Sequence, residues 1–215
     1  MREFGDDAAR VALNALPGPY LPWGSGAMRP AGLVLLCNDI VLNDRRRIVE
    51  VGSGISTVLL ARLLARSNAV ESFRLAAIEH DARWGRWVVG QLQREGTGDD
   101  IVVIDAPLVP HPAADGGLAW YETAPVLDGL DVALRGELID LLIVDGPPAF
   151  AAGHGMARYP ALPVLRERLA PGATVVLDDV ERPGEEKVLR RWEQEFGLVF
   201  DRQAQLAGVA IATVG

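Results

Sequence analysis

At 215 residues the chain is long enough to bury a full sheet-and-helix core as one domain, and 49% hydrophobic with 23% charged residues is an ordinary globular balance. A formal net charge of −8 disfavours a duplex nucleic acid partner, which needs a basic stripe to displace counterions. The single cysteine, Cys37, rules out an intramolecular disulfide; with no long apolar run for a membrane span and an acidic start unlike a signal peptide, the chain is expected to be cytoplasmic.

Phe4, Ala8, Val11 and Ala12 fall on one face of a first predicted helix, which the prolines and glycines of LPGPYLPWGSG then stop. A second helix follows, with Leu33, Cys37, Ile40 and Val41 at helical spacing and Cys37 as apolar filler. The arginines 45–47 read as a solvated entry to the next element. That element is the most informative one. In RIVEVGSGIST, Arg47–Thr57, the run Ile48, Val49, Val51 carries one carboxylate, Glu50, and breaks at Gly52-Ser53-Gly54 before a helix that begins at Thr57.

A strand feeding a glycine turn and a helix N-terminus suits a nucleotide-like ligand, because backbone approaches without a Cβ clash and free amides point at the ligand. Glu50 would repel a pyrophosphate but not a ligand bearing an ammonium group. Thr57 stands where the dinucleotide fingerprint has its third glycine, which disfavours a nicotinamide cofactor.

Strands and helices then alternate. Strands are expected at Phe73–Glu79, Ile101–Asp105, Ile139–Asp145 and Thr174–Asp178, with Ile139–Asp145 apolar enough to be buried on both faces. Helices are expected around Trp84, Trp87, Val88 and Leu92, near Ala124–Leu134, around Leu162, Leu165 and Leu169, and around Val188, Leu189, Trp192 and Phe196. The polar segment from Pro107 to Tyr121 reads as a loop, and 199–206 and 209–214 as a closing antiparallel hairpin around Ala207-Gly208. This order predicts an α/β fold with a doubly wound, mostly parallel sheet, whose ligand site lies at the carboxyl ends of the strands. Those ends are Gly52–Gly54, Glu79, Asp105, Asp145 and Asp178-Asp179, all acids or a glycine turn. A purely structural sheet has no reason to collect carboxylates along one rim.

From Ile48 onward these residues resemble a class I S-adenosylmethionine-dependent methyltransferase. EVGSGIST is similar to that family's first motif, Ala77–Asp81 to its second, Ile104–Ala106 to its third and Leu142–Gly146 to its fourth; Ala170–Asp179 with the terminal hairpin resembles its ending. The resemblance implies a seven-stranded Rossmann-like sheet in one methyltransferase domain, 1–215, with 1–44 as an N-terminal helical cap or lid and 45–215 as the core.

It implies cofactor contacts from Glu50, Gly52, Ser53, Gly54, Ser56 and Thr57 at the turn. Glu79 would take both ribose hydroxyls with His80 beside it, Trp84 would stack on adenine, Asp105 and Ala106 would meet the adenine edge, and Asp145 would face the ammonium. Among relatives, the chain is similar to small bacterial enzymes acting on small molecules, including metal-dependent O-methyltransferases. Asp145, Asp178 and Asp179 could then hold Mg²⁺ or another divalent cation, although Asp178-Asp179 stands where catechol-type enzymes show Asp-Asn.

Without a metal, Asp145 or His154 would be the general base, His154 lying in the glycine-flanked segment AFAAGHGMARYP that reads as a mobile loop. Asp179 could instead turn to Arg182, and Arg158 with Tyr159 could bind substrate or anchor that loop. The segments Pro17–Met28 and Pro107–Tyr121 would close over the acceptor. The partners expected are a small molecule and at most a second copy of the chain in a homodimer, with no nucleic acid and no membrane. Two other classes stay open: a nicotinamide-dependent oxidoreductase, and a non-catalytic cofactor-binding partner subunit.

Overall fold

Alternation along the strands sorts the core into two layers. In the computed structural model, which describes residues 2–16, 18–24, 26–66, 72–97 and 100–215, successive strand residues enter opposite apolar clusters. Ile48, Leu141, Ile143 and Val176 pack on one face with the helices α2 (Pro30–Leu42), α3 (Ile55–Arg66) and α4 (Ala82–Glu95). Val49, Val51, Leu142, Val144, Val175 and Leu177 pack on the other, with α5 (Thr123–Leu134), α6 (Ala161–Leu165) and α7 (Pro183–Phe196). This period of two across a sheet covered on both faces is what near-continuous apolar strands require.

The strands are β1 (Arg47–Val51), β2 (Arg74–Glu79), β3 (Ile101–Asp105), β6 (Ile139–Val144), β7 (Leu169–Leu177), β8 (Asp201–Gln203) and β9 (Val209–Thr213), in the order β3-β2-β1-β6-β7-β9-β8. The first five of that order run parallel, while β9 is antiparallel to both β7 and β8. The sheet therefore has the expected seven strands and closing antiparallel pair. Its order reverses between β1 and β6, and that switch point is where the carboxyl ends open a crevice for a ligand.

Several local expectations are corrected. The segment 107–121 is not a loop: β4 (Leu108–Pro110) and β5 (Ala119–Tyr121) form an antiparallel hairpin whose Trp120 and Tyr121 are fully buried. Two adjacent aromatics bury a large apolar surface there, and the Tyr121 hydroxyl reaches Gly146 at the strand-end rim. Leu169 opens β7 instead of ending a helix, because α6 stops at Leu165 and a short 3₁₀ turn intervenes.

In the first helix, α1 (Arg2–Leu13), Ala9 and Leu13 are the buried pair, and Val11 is 71% exposed; the side chain of Phe4 lies outside the described residues. In α2, Leu33 and Ile40 are buried as expected, but Leu36 completes the face and Val41 is exposed. Cys37 is half-buried, and burial pushes its thiol up to about 11, as befits filler rather than a nucleophile. Of the N-terminal 1–44, α2 is thus part of the layer that covers the sheet. The stretch around 22–28 is what reaches the crevice, Ser25 and Pro17 being outside the described residues.

Candidate active site

The rim is built by the parallel ladder running past the strand ends. Gly52 N donates to Ile78 O (2.9 Å), Asp145 N to Val51 O (2.9 Å), Asp178 N to Val144 O (3.0 Å) and Ala106 N to Glu79 O (2.8 Å). Residues far apart in the chain are thereby held shoulder to shoulder. Gly52 has φ +93°, and a Cβ there would meet Gly146 N at 3.1 Å and the Asp145 carbonyl carbon at 3.2 Å. A Cβ on Gly146 would in turn strike the Tyr121 hydroxyl and come within 2.9 Å of Gly52 Cα. The two glycines let the β1 and β6 ends touch backbone to backbone. Gly146, the last residue of the fourth motif, is not among the expected site residues, yet this close approach requires it.

Glu50 belongs to the face shared with α3 and is fully buried. Its carboxylate accepts the hydroxyls of Ser56 and Thr57, and Thr57 Oγ1 accepts the Gly54 N–H at 2.9 Å. Burial, opposed by those two hydroxyls, pushes Glu50 up to about 7. Glu50, Ser56 and Thr57 thus pin the turn to the first turn of α3, with Ser56 also lining the cleft.

A consequence for stability follows. The folded chain keeps the Glu50 proton between about pH 4.5 and 7, whereas the unfolded chain loses it, so stability without ligand should fall as pH rises through that window. Glu50→Gln should flatten that slope and gain up to about 3 kcal/mol at pH 8. Thermal melts of both proteins from pH 4.5 to 8 measure it, and parallel curves would contradict the assignment.

Glu79 is buried at the end of β2. One oxygen accepts the backbone N–H groups of His80 and Asp81 (both 2.8 Å) and stands 3.0 Å from His80 Nδ1; the other accepts Ser53 Oγ (2.8 Å) and Ser53 N (3.1 Å). Burial opposes ionisation, but the donors from His80, Asp81 and Ser53 outweigh it and hold the carboxyl below its usual range, while Glu79 pushes the His80 ring upward. Asp81 caps α4 by accepting Arg83 N and Trp84 N. That start places Trp84 at the rim, 37% exposed, with its indole N–H on Ser53 O (2.8 Å) and its ring stacked on Trp87 at 4.6 Å. Trp84 is therefore not a core residue of α4, where Val88 and Leu92 are buried.

Two cavities meet these residues. One, about 280 Å³, is bounded by Ser53, Gly54, Ile55, Ser56, Trp84 and Asp145 and roofed by Pro22, Gly24, Gly26, Ala27 and Met28. A Cβ on Gly54 would find nothing closer than Ser56 Oγ at 3.8 Å, so this glycine leaves room on the cleft side. The other, about 370 Å³, runs along α4 and β3 and touches Glu79, Gly85, Val103 and Asp105. Asp105 is exposed there and Ala106 is buried behind it.

Beyond β6 and β7, Asp145, Asp178 and Asp179 converge, with carboxylate oxygens within 4.8 Å of one another. Burial is the main cause that pushes Asp145 up to about 7 and Asp178 well above the usual range, and Asp178 hydrogen-bonds to Asp145. Asp179, at φ +60°, pairs with Arg182 Nη1 at 2.6 Å, the alternative foreseen for it. Arg158, 3% exposed, reaches into the group: its Nη2 donates to Asp145 Oδ1 (3.1 Å) and Asp179 Oδ2 (2.9 Å), its Nη1 to Asp178 O (3.1 Å) and its Nε to Pro147 O (3.3 Å). The arginine anchors the loop, one of the two roles open to it in the sequence, but its pairing with the acids is set by the fold.

The loop itself is pinned. A Cβ on Gly155 would come within 2.9 Å of Gly184 Cα, so the glycines that suggested mobility instead allow 155 to lie against the start of α7. His154 is exposed on the turn before it and lines neither of the two cavities above. His111 is buried against Trp120 and Thr123, a structural residue.

Residues 49–180, more than half of the chain, match a family model described as a methyltransferase domain. No curated protein matches the chain. Among solved structures, the cofactor-bound protein Rv0187 from MTB is 21% identical over 98% of this chain and 89% of its own, with a TM-score of 0.61. The O-methyltransferase from Bacillus cereus in complex with SAH is 18% identical over 98% and 90%, at 0.60. TomG from Streptomyces achromogenes, an O-methyltransferase involved in tomaymycin synthesis and solved with SAM, is 20% identical over 98% and 90%, at 0.56. At these identities the likeness is one of fold.

Proposed function

Because the chain belongs to the methyltransferase-domain family, we propose that it binds S-adenosylmethionine in the cleft at the glycine turn and methylates an oxygen of a small molecule. The observation that carries this reading is the juxtaposition of the Gly52–Gly54 turn with Asp145, which lines the same cavity from the neighbouring strand end. The cradle fits the group: the space beside Gly54 is open, Trp84 stands at the rim, and Glu79 is held ionised behind Ser53.

In this reading Glu79 takes the ribose hydroxyls in place of the Ser53 Oγ contact, since the donors of Ser53, His80 and Asp81 already occupy its lone pairs. His80, Asp105 and Ala106 line the adenosine end. When bound, S-adenosylmethionine supplies an already activated methyl group, so the protein has to orient the acceptor and take its proton.

Asp145 is the proposed base. A carboxylate raised to about 7 is half ionised near neutrality, which suits it to remove a hydroxyl proton. The exposed His154 is the second candidate. The stretch 22–28 excludes water from above the turn, as the lid part of 1–44 over the core 45–215. A divalent ion on Asp145, Asp178 and Asp179 would lower the acceptor's pKa, but Arg158 already holds two of those carboxylates. We place the enzyme in the cytoplasm, working on a small molecule without nucleic acid or membrane, alone or as a homodimer; among the described residues no helix is long and apolar enough to cross a membrane.

The first experiment is calorimetric titration with S-adenosylmethionine and with NAD. Binding of the former with a micromolar Kd, and none of the latter, is expected. The reverse result would return the chain to the oxidoreductase class. Screening phenols and alcohols for transfer of a labelled methyl group then separates an enzyme from a non-catalytic partner subunit.

A further inference from the structure

The acid cluster beside the cleft poses a charge problem that the chain itself answers. Three carboxylates within 4.8 Å of one another are an arrangement that oxygen-loving cations use. A fourth, Glu185, is 1% exposed, has neither oxygen hydrogen-bonded, and lies 3.9 Å from Arg158 Nη1 and 3.7 Å from Arg182 Nη1. Burial pushes such acids toward the neutral form, and those that stay ionised need a positive charge beside them.

We propose that the Arg158 guanidinium is the resident cation of this cluster, standing where a divalent ion would have to stand, so that methyl transfer by this chain requires no metal. The inference rests on the methyltransferase reading of the neighbouring cleft. Its geometry is specific. A divalent ion needs each carboxylate oxygen at roughly 2.0–2.6 Å, whereas Nη2 of Arg158 lies 3.1 Å from Asp145 Oδ1 and 2.9 Å from Asp179 Oδ2, bridging two of the three acids.

The guanidinium cannot swing aside cheaply. Its Nη1 and Nε are spent on the backbone carbonyls of Asp178 and Pro147, one on each acid-bearing loop, and leaving would strand both carbonyls and the Asp145 carboxylate. Arg182, at 2.6 Å from Asp179 Oδ2, adds a second fixed cation on the outer side. A planar, always-charged fork suits this place, since it meets two carboxylates and two carbonyls at once. Arg158 acts through Asp145 and is a positioning residue.

The test measures Mn²⁺ binding by EPR, and thermal unfolding in EDTA or in millimolar Mn²⁺, for the wild-type protein, Arg158→Met and Arg158→Lys. The wild type should bind no stoichiometric Mn²⁺ and melt at one temperature in both buffers. Arg158→Met should melt about 10 °C lower in EDTA, take up close to one Mn²⁺ per chain and recover stability with it, a gain that mere loss of packing would not produce. Arg158→Lys, keeping a cation but not the fork, should melt between the other two proteins, at the same temperature in both buffers, and bind no Mn²⁺.

One tightly bound Mn²⁺ per wild-type chain, or a wild-type melting temperature that rises with Mn²⁺, would overturn the proposal. So would a folded Arg158→Met protein that takes up no ion. Should Arg158→Met fail to fold in either buffer, the wild-type titration and Arg158→Lys decide the question. Titrating S-adenosylmethionine into the wild type in EDTA keeps the two readings apart. Absent binding there defeats the cofactor reading whatever Mn²⁺ does, and intact binding alongside tight Mn²⁺ uptake defeats only the role of Arg158.

Discussion

Asp145→Asn should lower turnover by roughly 10²–10⁴-fold, the usual worth of a positioned general base. Asparagine keeps the size of the side chain and an oxygen for Arg158 Nη2, but it cannot accept a proton from an acceptor hydroxyl. The wild-type enzyme should show a rate that rises through about pH 7, because burial holds Asp145 protonated below that point and only the ionised form is a base. The variant should lose that limb of the profile. Single-turnover transfer of a labelled methyl group, measured from pH 5.5 to 9, tests both statements with one preparation. If the variant keeps its rate and its pH dependence, Asp145 is not the base, and His154→Ala becomes the substitution expected to abolish the reaction.

Glu79→Ala should weaken S-adenosylmethionine binding by about 1.5–3 kcal/mol, roughly ten- to 150-fold. The number is that of hydrogen bonds to a charged acceptor, and the structure adds a reason why the loss cannot be repaired locally. Glu79 joins the Ser53 end of the glycine turn to the His80-Asp81 start of α4, and Trp84 lies on Ser53 O from the same helix. Removing the carboxylate therefore frees the turn as well as the ribose position. Glu79→Gln, which retains one acceptor oxygen and the side-chain volume, should fall between the two. Calorimetry on variants whose melting is still cooperative reads the effect, and an unchanged Kd for Glu79→Ala would remove ribose recognition from this residue.

Much of the molecule is legible without coordinates because its signals are local. The β1 strand, the glycine turn and α3 are contiguous, so the change from period two to helical period at Thr57 marks the crevice directly. The strand-end acids are readable too, since an ionisable residue closing an apolar strand stands out against its own neighbours. Harder to see is anything whose energy comes from a distant partner. The run 107–121 looks like a loop because its prolines and small residues are polar punctuation, and only burial under the sheet turns Trp120 and Tyr121 into a hairpin core. The glycines at 153 and 155 look like hinges, yet Gly155 is small because Gly184 lies against it. Glu50 reads as a group presented to the ligand, whereas strand alternation aims it at the hydroxyls of Ser56 and Thr57.

Order along the chain thus determined the sheet, the rim on which ligands bind and the identity of the carboxylates that gather there, because hydrophobic period and strand termini are properties of neighbouring residues. Which of those carboxylates is held ionised, which is pushed toward neutrality and which is already paired was decided only by the tertiary structure. Charge is settled by burial and by partners within about 3–4 Å, and here the deciding partner is Arg158, which the fold carries back from its loop to lie between Asp145 and Asp179.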